Sequence, residues 1–333
     1  MLKVRIVRSH RWQHDQLMSE ARPPTTFQWA GQDDVADIVI FIVPPWPDDS
    51  APERLGISRV RDLLGGRLYL FSQFDEGVFW APGVFVAATV ESPPHVAGGF
   101  YIHPDHYGPD GPGAMIDEAD PGEPNLLWSF VGRGDTASVR STLLSLHDER
   151  SIARESSTPW GMPERERERR QADYVTTLLR SKFVACPRGH SPSTHRLFET
   201  MRAGRAPVVL SDAWRPPPLV DWDACCIRIP EIDARHVPAI LREREDDAED
   251  IGRRARDVWE QRFSPRGMVH QLVESCLLLH ERPQTSRTGL ALAAKAIPNR
   301  RTIRRGRAMA QAMRRSRQEA RGRTTSGERP SGP

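Results

Sequence analysis

What most limits how this chain can fold lies between Ser181 and Asp212. An apolar run, Lys182-Phe-Val-Ala-Cys186, empties into the turn Pro187-Arg-Gly-His-Ser-Pro192. A helical stretch follows from about Ser193 to Ala203, and a second apolar run, Ala206-Pro-Val-Val-Leu-Ser211, closes the unit. Continuous apolar runs of this kind are strands buried on both faces, and the order strand, turn, helix, strand is a βα unit on a parallel sheet. The same order occurs upstream, where Leu126-Leu-Trp-Ser-Phe-Val131 runs into Gly132-Arg-Gly-Asp-Thr136 and a helical stretch to about residue 147. Further strands are predicted over 36–43, 67–72, 83–90 and 225–229, and a helix over 52–64, with Pro52 in its first turn and Gly65-Gly66 as its stop. The charged run 164–170 predicts the solvated start of a helix ending near Arg180, and 234–281 is helical. Residues 91–124 are proline-rich and read as loop, with one apolar interruption at 100–102. The fold class is therefore α/β, with halves at 1–120 and 121–285 and a tail at 286–333.

Composition supports this division. With 333 residues, 38% hydrophobic and 27% charged, the chain can bury a full core and is not wholly disordered. Its longest apolar run, near 35–46, is interrupted by Asp37 and Pro44-Pro45 and falls short of the roughly 20 residues a spanning helix requires. The opening residues interleave charge with apolar side chains, so no secretory leader is read and a cytoplasmic location is expected. Cys186, Cys225, Cys226 and Cys276 lack C-x-x-C spacing and are expected to be reduced core thiols. The net charge of +3 conceals an asymmetry: residues 287–333 hold thirteen basic and two acidic side chains, a balance of +11, against −8 for the rest.

The 181–212 unit also suggests chemistry. A helix opened by Ser193 or Thr194 after a glycine turn points unpaired N–H groups and a positive dipole end into a crevice, which suits a phosphate. Arg188 and Arg196 can add bidentate charge to a diphosphate, and Glu199 can accept from ribose hydroxyls. The same residues also fit a plainer arrangement, in which Ser193 only caps, Arg196 is solvated and Glu199 pairs with Arg196 or Arg202.

In register and without gaps, the chain reads Cys186-Pro187, Gly189, Pro192-Ser193-Thr194, Arg196-Leu197-Phe198-Glu199, Pro207-Val208-Val209 and Ser211-Asp212. This series resembles the donor half of the exostosin-like glycosyltransferases (GT47 type). Weaker resemblance runs through Asp221-Trp222 and 227–231 downstream. Upstream it touches Ser129-Phe-Val-Gly132 with Arg140, and Leu70-Phe-Ser-Gln-Phe-Asp75. The departures are His190, Arg205 and a short N-terminal half.

The resemblance implies a GT-B architecture, two Rossmann-like halves facing a cleft, with an acceptor-side half at 1–120 and a nucleotide-sugar half at 121–285. It implies an inverting transfer of sugar from a nucleotide-sugar, UDP-linked, to a hydroxyl of a glycan, lipid-linked or small-molecule acceptor. Leaving-group stabilisation then falls to Arg196, the Ser193/Thr194 helix start and the Gly132-Arg133 turn, with Arg188 and Gly189 in the same site and Glu199 on the ribose. Arginines and fixed dipoles stand where other glycosyltransferases use a metal, so no cofactor and no divalent ion are expected. The general base should come from the first half, where Asp75 lies just beyond a strand; His95, His103 and His106 are weaker candidates. The literal D-x-D at Asp221-Trp-Asp223 is read as a loop-to-strand boundary.

The tail supports another class of reading. Its arginines between 299 and 323 could neutralise nucleic-acid phosphates or lie on an anionic membrane at its inner face. With no aromatic after Phe263, base stacking has no platform there, and nucleic acid is disfavoured. The alternative function is thus a catalytically inactive nucleotide-binding or docking protein whose basic tail binds a polyanion.

Overall fold

The computed structural model describes residues 1–8, 18, 20–31, 33–43, 65–75, 77, 79, 81–102, 111–120, 122–146, 148–157 and 162–281. The helix predicted over 52–64, His103, His106 and the basic tail lie outside these residues.

Two parallel sheets organise the chain. The first holds β1 (Lys3–Arg8), β2 (Gln28–Trp29), β3 (Ile38–Ile42), β4 (Leu68–Ser72), β5 (Gly83–Phe85) and β6 (Val96–Gly98) in the order β2-β1-β3-β4-β5-β6. The second holds β7 (Leu126–Gly132), β8 (Ser151–Glu155), β9 (Ser181–Pro187), β10 (Ala206–Leu210) and β11 (Ile227–Arg228) in the order β11-β10-β9-β7-β8. All pairings within both sheets are parallel. Each sheet reverses its order once, between β1 and β3 and between β7 and β9. At such a point the flanking connections leave on opposite faces and open a crevice beyond the strand carboxyl ends. The expected pair of Rossmann-like halves, the GT-B class, is therefore present.

The helices are α1 (Pro112–Glu118), α2 (Ser138–Leu144), α3 (Glu164–Leu179), α4 (His195–Arg202), α5 (Trp222–Cys225), α6 (Val237–Glu243), α7 (Ala248–Val258) and α8 (Met268–His280). α4 buries Leu197, Phe198 and Met201, and Gly204 ends its turn at φ +65°, a conformation in which a side chain would be strained. α7 approaches that turn so closely that a Cβ on Gly252 would lie 2.4 Å from the Gly204 carbonyl oxygen.

Several expectations need correction. The segment 91–124 contains β6 and α1 as well as loop. Pro112 occupies the first turn of α1, where its missing N–H costs nothing, and Ile116 packs against Val175 and Leu179 of α3. The strand predicted over 83–90 ends at Phe85, and the one over 225–229 shrinks to Ile227–Arg228 after the single turn of α5. β8, not predicted, pairs with β7 at the sheet edge with its last residues exposed. Asp221 caps α5 by accepting from the Ala224 amide, and Asp223 pairs with Arg228 at 2.6 Å, so this D-x-D serves local structure. The four cysteines are free and buried, as expected.

The halves share one core. Phe71 and Phe100 of the first half reach Phe198 through Phe263, with centroids 5.3, 5.6 and 5.0 Å apart along that series. α8 returns to the first sheet, where the Tyr69 hydroxyl meets His280 Nδ1 at 3.0 Å. Arg215 gives a second connection, its guanidinium donating to the carbonyls of Val90, Ser92, Pro93 and Val96.

Candidate functional site

The crevice between β7 and β9 gathers the residues singled out by sequence. β7 is buried along its whole length and ends at Gly132. A Cβ at Gly132 would stand 2.8 Å from Arg196 Nη2, so the absent side chain is what lets Arg196 donate to the Val131 carbonyl. The Arg196 guanidinium lies 4.8 Å over the Phe130 ring and 5.8 Å from that of Tyr174. It is not solvated. Its Nε and Nη1 are buried with no hydrogen-bond acceptor.

Arg140, on α2, crosses to the end of β9. Its Nε donates to the Arg188 carbonyl at 2.7 Å and its Nη2 to the Pro187 carbonyl at 3.2 Å. Burial, and after it the Arg196 cation, pushes the Arg140 pKa down. Two cations held close with little water strongly favour an anion between them. Gly189 makes room here, since a Cβ on it would be 3.2 Å from Arg140 Nη2.

The other two predicted cations are engaged by carboxylates. Arg133 folds onto Asp135 of its own turn, which raises its pKa, and Arg188 donates through Nε to both oxygens of Glu231 at 2.8 and 3.0 Å. Glu231 is fixed in turn by the Asp212 amide. Arg196 and Arg140 therefore carry the site's positive charge.

The start of α4 differs from the simple cap weighed above. Thr194 is the N-cap residue but its hydroxyl makes no capping bond, and Ser193, only 4% exposed, has a buried Oγ without a hydrogen bond. Thr136 Oγ1, near Gly189, is also buried and unbonded. Glu199 is buried and accepts the hydroxyl hydrogen of Tyr174 from α3. Burial and the Glu199 charge drive the Tyr174 pKa upward, so the phenol remains a donor. Arg202 binds Asp117 and lies over Trp259.

Asp75 is exposed just past β4, close enough for its charge to act on Tyr101. Tyr101 stacks on His195, the first residue of α4, with centroids 3.5 Å apart and planes 29° from parallel. His95 is half-buried before β6. Among the described residues no group of three His, Cys, Asp or Glu is arranged to hold a metal, and no helix is long and apolar enough to cross a membrane.

Comparison with known proteins follows the same stretch. The Exostosin GT47 domain model matches residues 102–244, which include β7 to β11 and every site residue except Asp75, His95 and Tyr101. An Exostosin-1 homolog of Caenorhabditis elegans is 38% identical over 71 residues, covering 21% of this chain and 19% of that protein. Exostosin-1 of Drosophila melanogaster is 31% identical over 138 residues, covering 37% of this chain and 18% of that protein. The chain thus spans about one fifth of the length of these curated relatives. Among solved structures, Anabaena HepE in complex with UDP and glucose is similar at a TM-score of 0.39 and 9% identity, over 85% of this chain and 100% of that one.

In the sequence Arg140 is marked only by the resemblance, and Tyr174, Thr136 and Tyr101 are not singled out by any motif. Within the matched stretch, the signal for Arg140 is its place at the start of α2, directly after the β7 turn, at the same carboxyl edge of the sheet as the start of α4. Tyr174 had only its place near the buried end of a charged helix.

Proposed function

We propose that this chain is an inverting glycosyltransferase that moves a sugar from a nucleotide-sugar, UDP-linked, to a hydroxyl acceptor. One observation carries the reading: the Arg196 guanidinium keeps two buried nitrogens without acceptors, beside Arg140, at the sheet reversal of the exostosin GT47 domain. Buried donors left unmade cost stability, and an oxygen-rich anion would satisfy them.

In the reaction, an acceptor oxygen forms a bond to the anomeric carbon as the bond from that carbon to the diphosphate oxygen breaks. Asp75, from the first half, takes the acceptor's proton. Negative charge then builds on the diphosphate, where Arg196, Arg140 and the Ser193 hydroxyl stabilise it more than in the ground state. Glu199, oriented by Tyr174, receives the ribose hydroxyls. Because arginines supply the charge, the proposal includes no requirement for a divalent ion.

Thermal melting with a panel of nucleotides, with and without EDTA, tests the proposal, since a ligand that binds only the folded state raises the melting point. UDP or one UDP-sugar should stabilise the protein selectively and independently of EDTA. Arg196→Ala should reduce that affinity by about a hundredfold, as expected for losing charge-assisted bonds to a phosphate. No stabilisation by any nucleotide would instead favour the docking alternative.

A further inference from the structure

After β6 the chain reads Gly99-Phe100-Tyr101-Ile102. Phe100 and Ile102 are plugged into the shared core at 0% and 1% exposure, so extended alternation sends Tyr101 the other way, toward the second half. Its ring is seated flat on His195, and the Phe198 ring meets it edge-on at 6.1 Å and 76°. These contacts hold the phenol at the first turn of α4. The hydroxyl is within hydrogen-bond reach of Ser191 and Ser193, and the charges of Asp75 and Arg140 act on it. Ser191 and Ser193 are 2% and 4% exposed.

This neighbourhood is dominated by donors. Thr136 Oγ1 is buried without a hydrogen bond, and Arg196 Nε and Nη1 are buried without an acceptor, while the Ser191 and Ser193 hydroxyls are within reach of the phenol. Burial and the nearby Asp75 charge keep the phenol protonated, so it too can offer a hydrogen. Beside the Asp75 carboxylate, donors brought together this way can serve a further acceptor with several oxygens.

We propose that Tyr101 is a diphosphate-binding residue supplied by the first half, its phenol donating to a phosphate oxygen of the bound donor beside the Ser193 hydroxyl. This rests on the nucleotide-sugar reading above. It adds that the ligand joins the halves: Tyr101 comes from the segment after β6, while Ser193, Arg196 and Arg140 belong to the second sheet. Diphosphate binding then seats the half that carries Asp75 against the half that carries the leaving group.

Tyr101→Phe keeps the ring stacked on His195 and removes only the hydroxyl. Calorimetric titrations of wild type, Tyr101→Phe and Arg196→Ala with UDP, inorganic pyrophosphate and uridine test the proposal. In Tyr101→Phe, UDP and pyrophosphate should each bind about tenfold more weakly while uridine is unchanged, as for one hydrogen bond to a charged oxygen. The ratio of UDP to uridine affinity within the one variant does not depend on the fraction folded, so a partly unfolded preparation still gives an answer. An unchanged ratio, with Arg196→Ala losing UDP, overturns the role of Tyr101 and leaves the nucleotide-sugar reading intact. If wild type binds neither UDP nor pyrophosphate, both fall together.

Discussion

Glu199 shows how much a single buried side chain can be asked to do. It is 7% exposed, and Tyr174 already donates to one of its oxygens, so its orientation is set before any ligand arrives. A carboxylate held this way contributes acceptor capacity without the entropy of a solvated chain. Glu199→Gln preserves size and burial but weakens bonds from hydroxyl donors, since charge-assisted bonds are roughly twice as strong as neutral ones. UDP affinity should fall about tenfold while inorganic pyrophosphate, which has no ribose, binds as before. Equal losses for both ligands in a calorimetric titration would place Glu199 on the phosphates and refute its ribose role. The pattern is the complement of that expected for Tyr101→Phe, so the two variants together map the ends of the site.

At the scale of elements, the donor helix is aimed by a contact far from any charge. Gly204 ends α4 at φ +65°, and Gly252 of α7 rests against its carbonyl. Gly252→Ala places a methyl 2.4 Å from the Gly204 carbonyl oxygen, so α7 or the end of α4 must shift. Overpacking of this kind costs about 1–3 kcal/mol, and the urea midpoint should fall accordingly. Gly66→Ala, with no atom within 4 Å of the added carbon, is the control and should leave it in place. An unshifted midpoint in Gly252→Ala would mean the helices have slack. Neither contact was legible in sequence, because a glycine announces freedom but not its neighbour. Legibility followed burial: β3, β7, β9 and β10 are covered on both faces and read as continuous apolar runs. β8 is an edge strand with the sequence Ser-Ile-Ala-Arg-Glu, and no apolar run marks it. α1 was hidden by Pro112-Gly113, although proline in a first turn is compatible with helix. The 186–199 motif located Arg196, Ser193 and Glu199 because they are close in sequence. Arg140, Tyr174 and Tyr101 reach the same crevice from three other elements, and only the topology brings them there.

For the whole molecule, the question is what keeps the two sheets in one geometry while a ligand enters between them. The aromatic series through Phe263 is non-directional, and it resists separation better than it resists sliding. Arg215 supplies direction. Its fork donates to four carbonyls of the 90–96 loop, and the backbone adds Val90 N–H to the Ala213 carbonyl at 3.0 Å. A Cβ on Gly98 would lie 2.1 Å from the Arg215 carbonyl oxygen, so the two strands of chain are in close backbone contact there. Since 90–96 leads through β6 into Phe100 and Tyr101, the same clamp sets where the first half presents its face to α4. Arg215→Ala removes four hydrogen bonds, and with water replacing part of them the net loss should be about 2–4 kcal/mol. The specific expectation is local: amide hydrogen exchange should quicken over 88–98 while the β7, β9 and β10 amides, deep in the second sheet, keep their protection. The Michaelis constant for the donor should rise with little change in kcat, because the chemistry is intact once the halves meet. Unchanged exchange over 88–98 would show that the aromatic core alone fixes the halves. Acceleration spread evenly over both sheets would show that Arg215 stabilises the fold as a whole and not the joint between its parts.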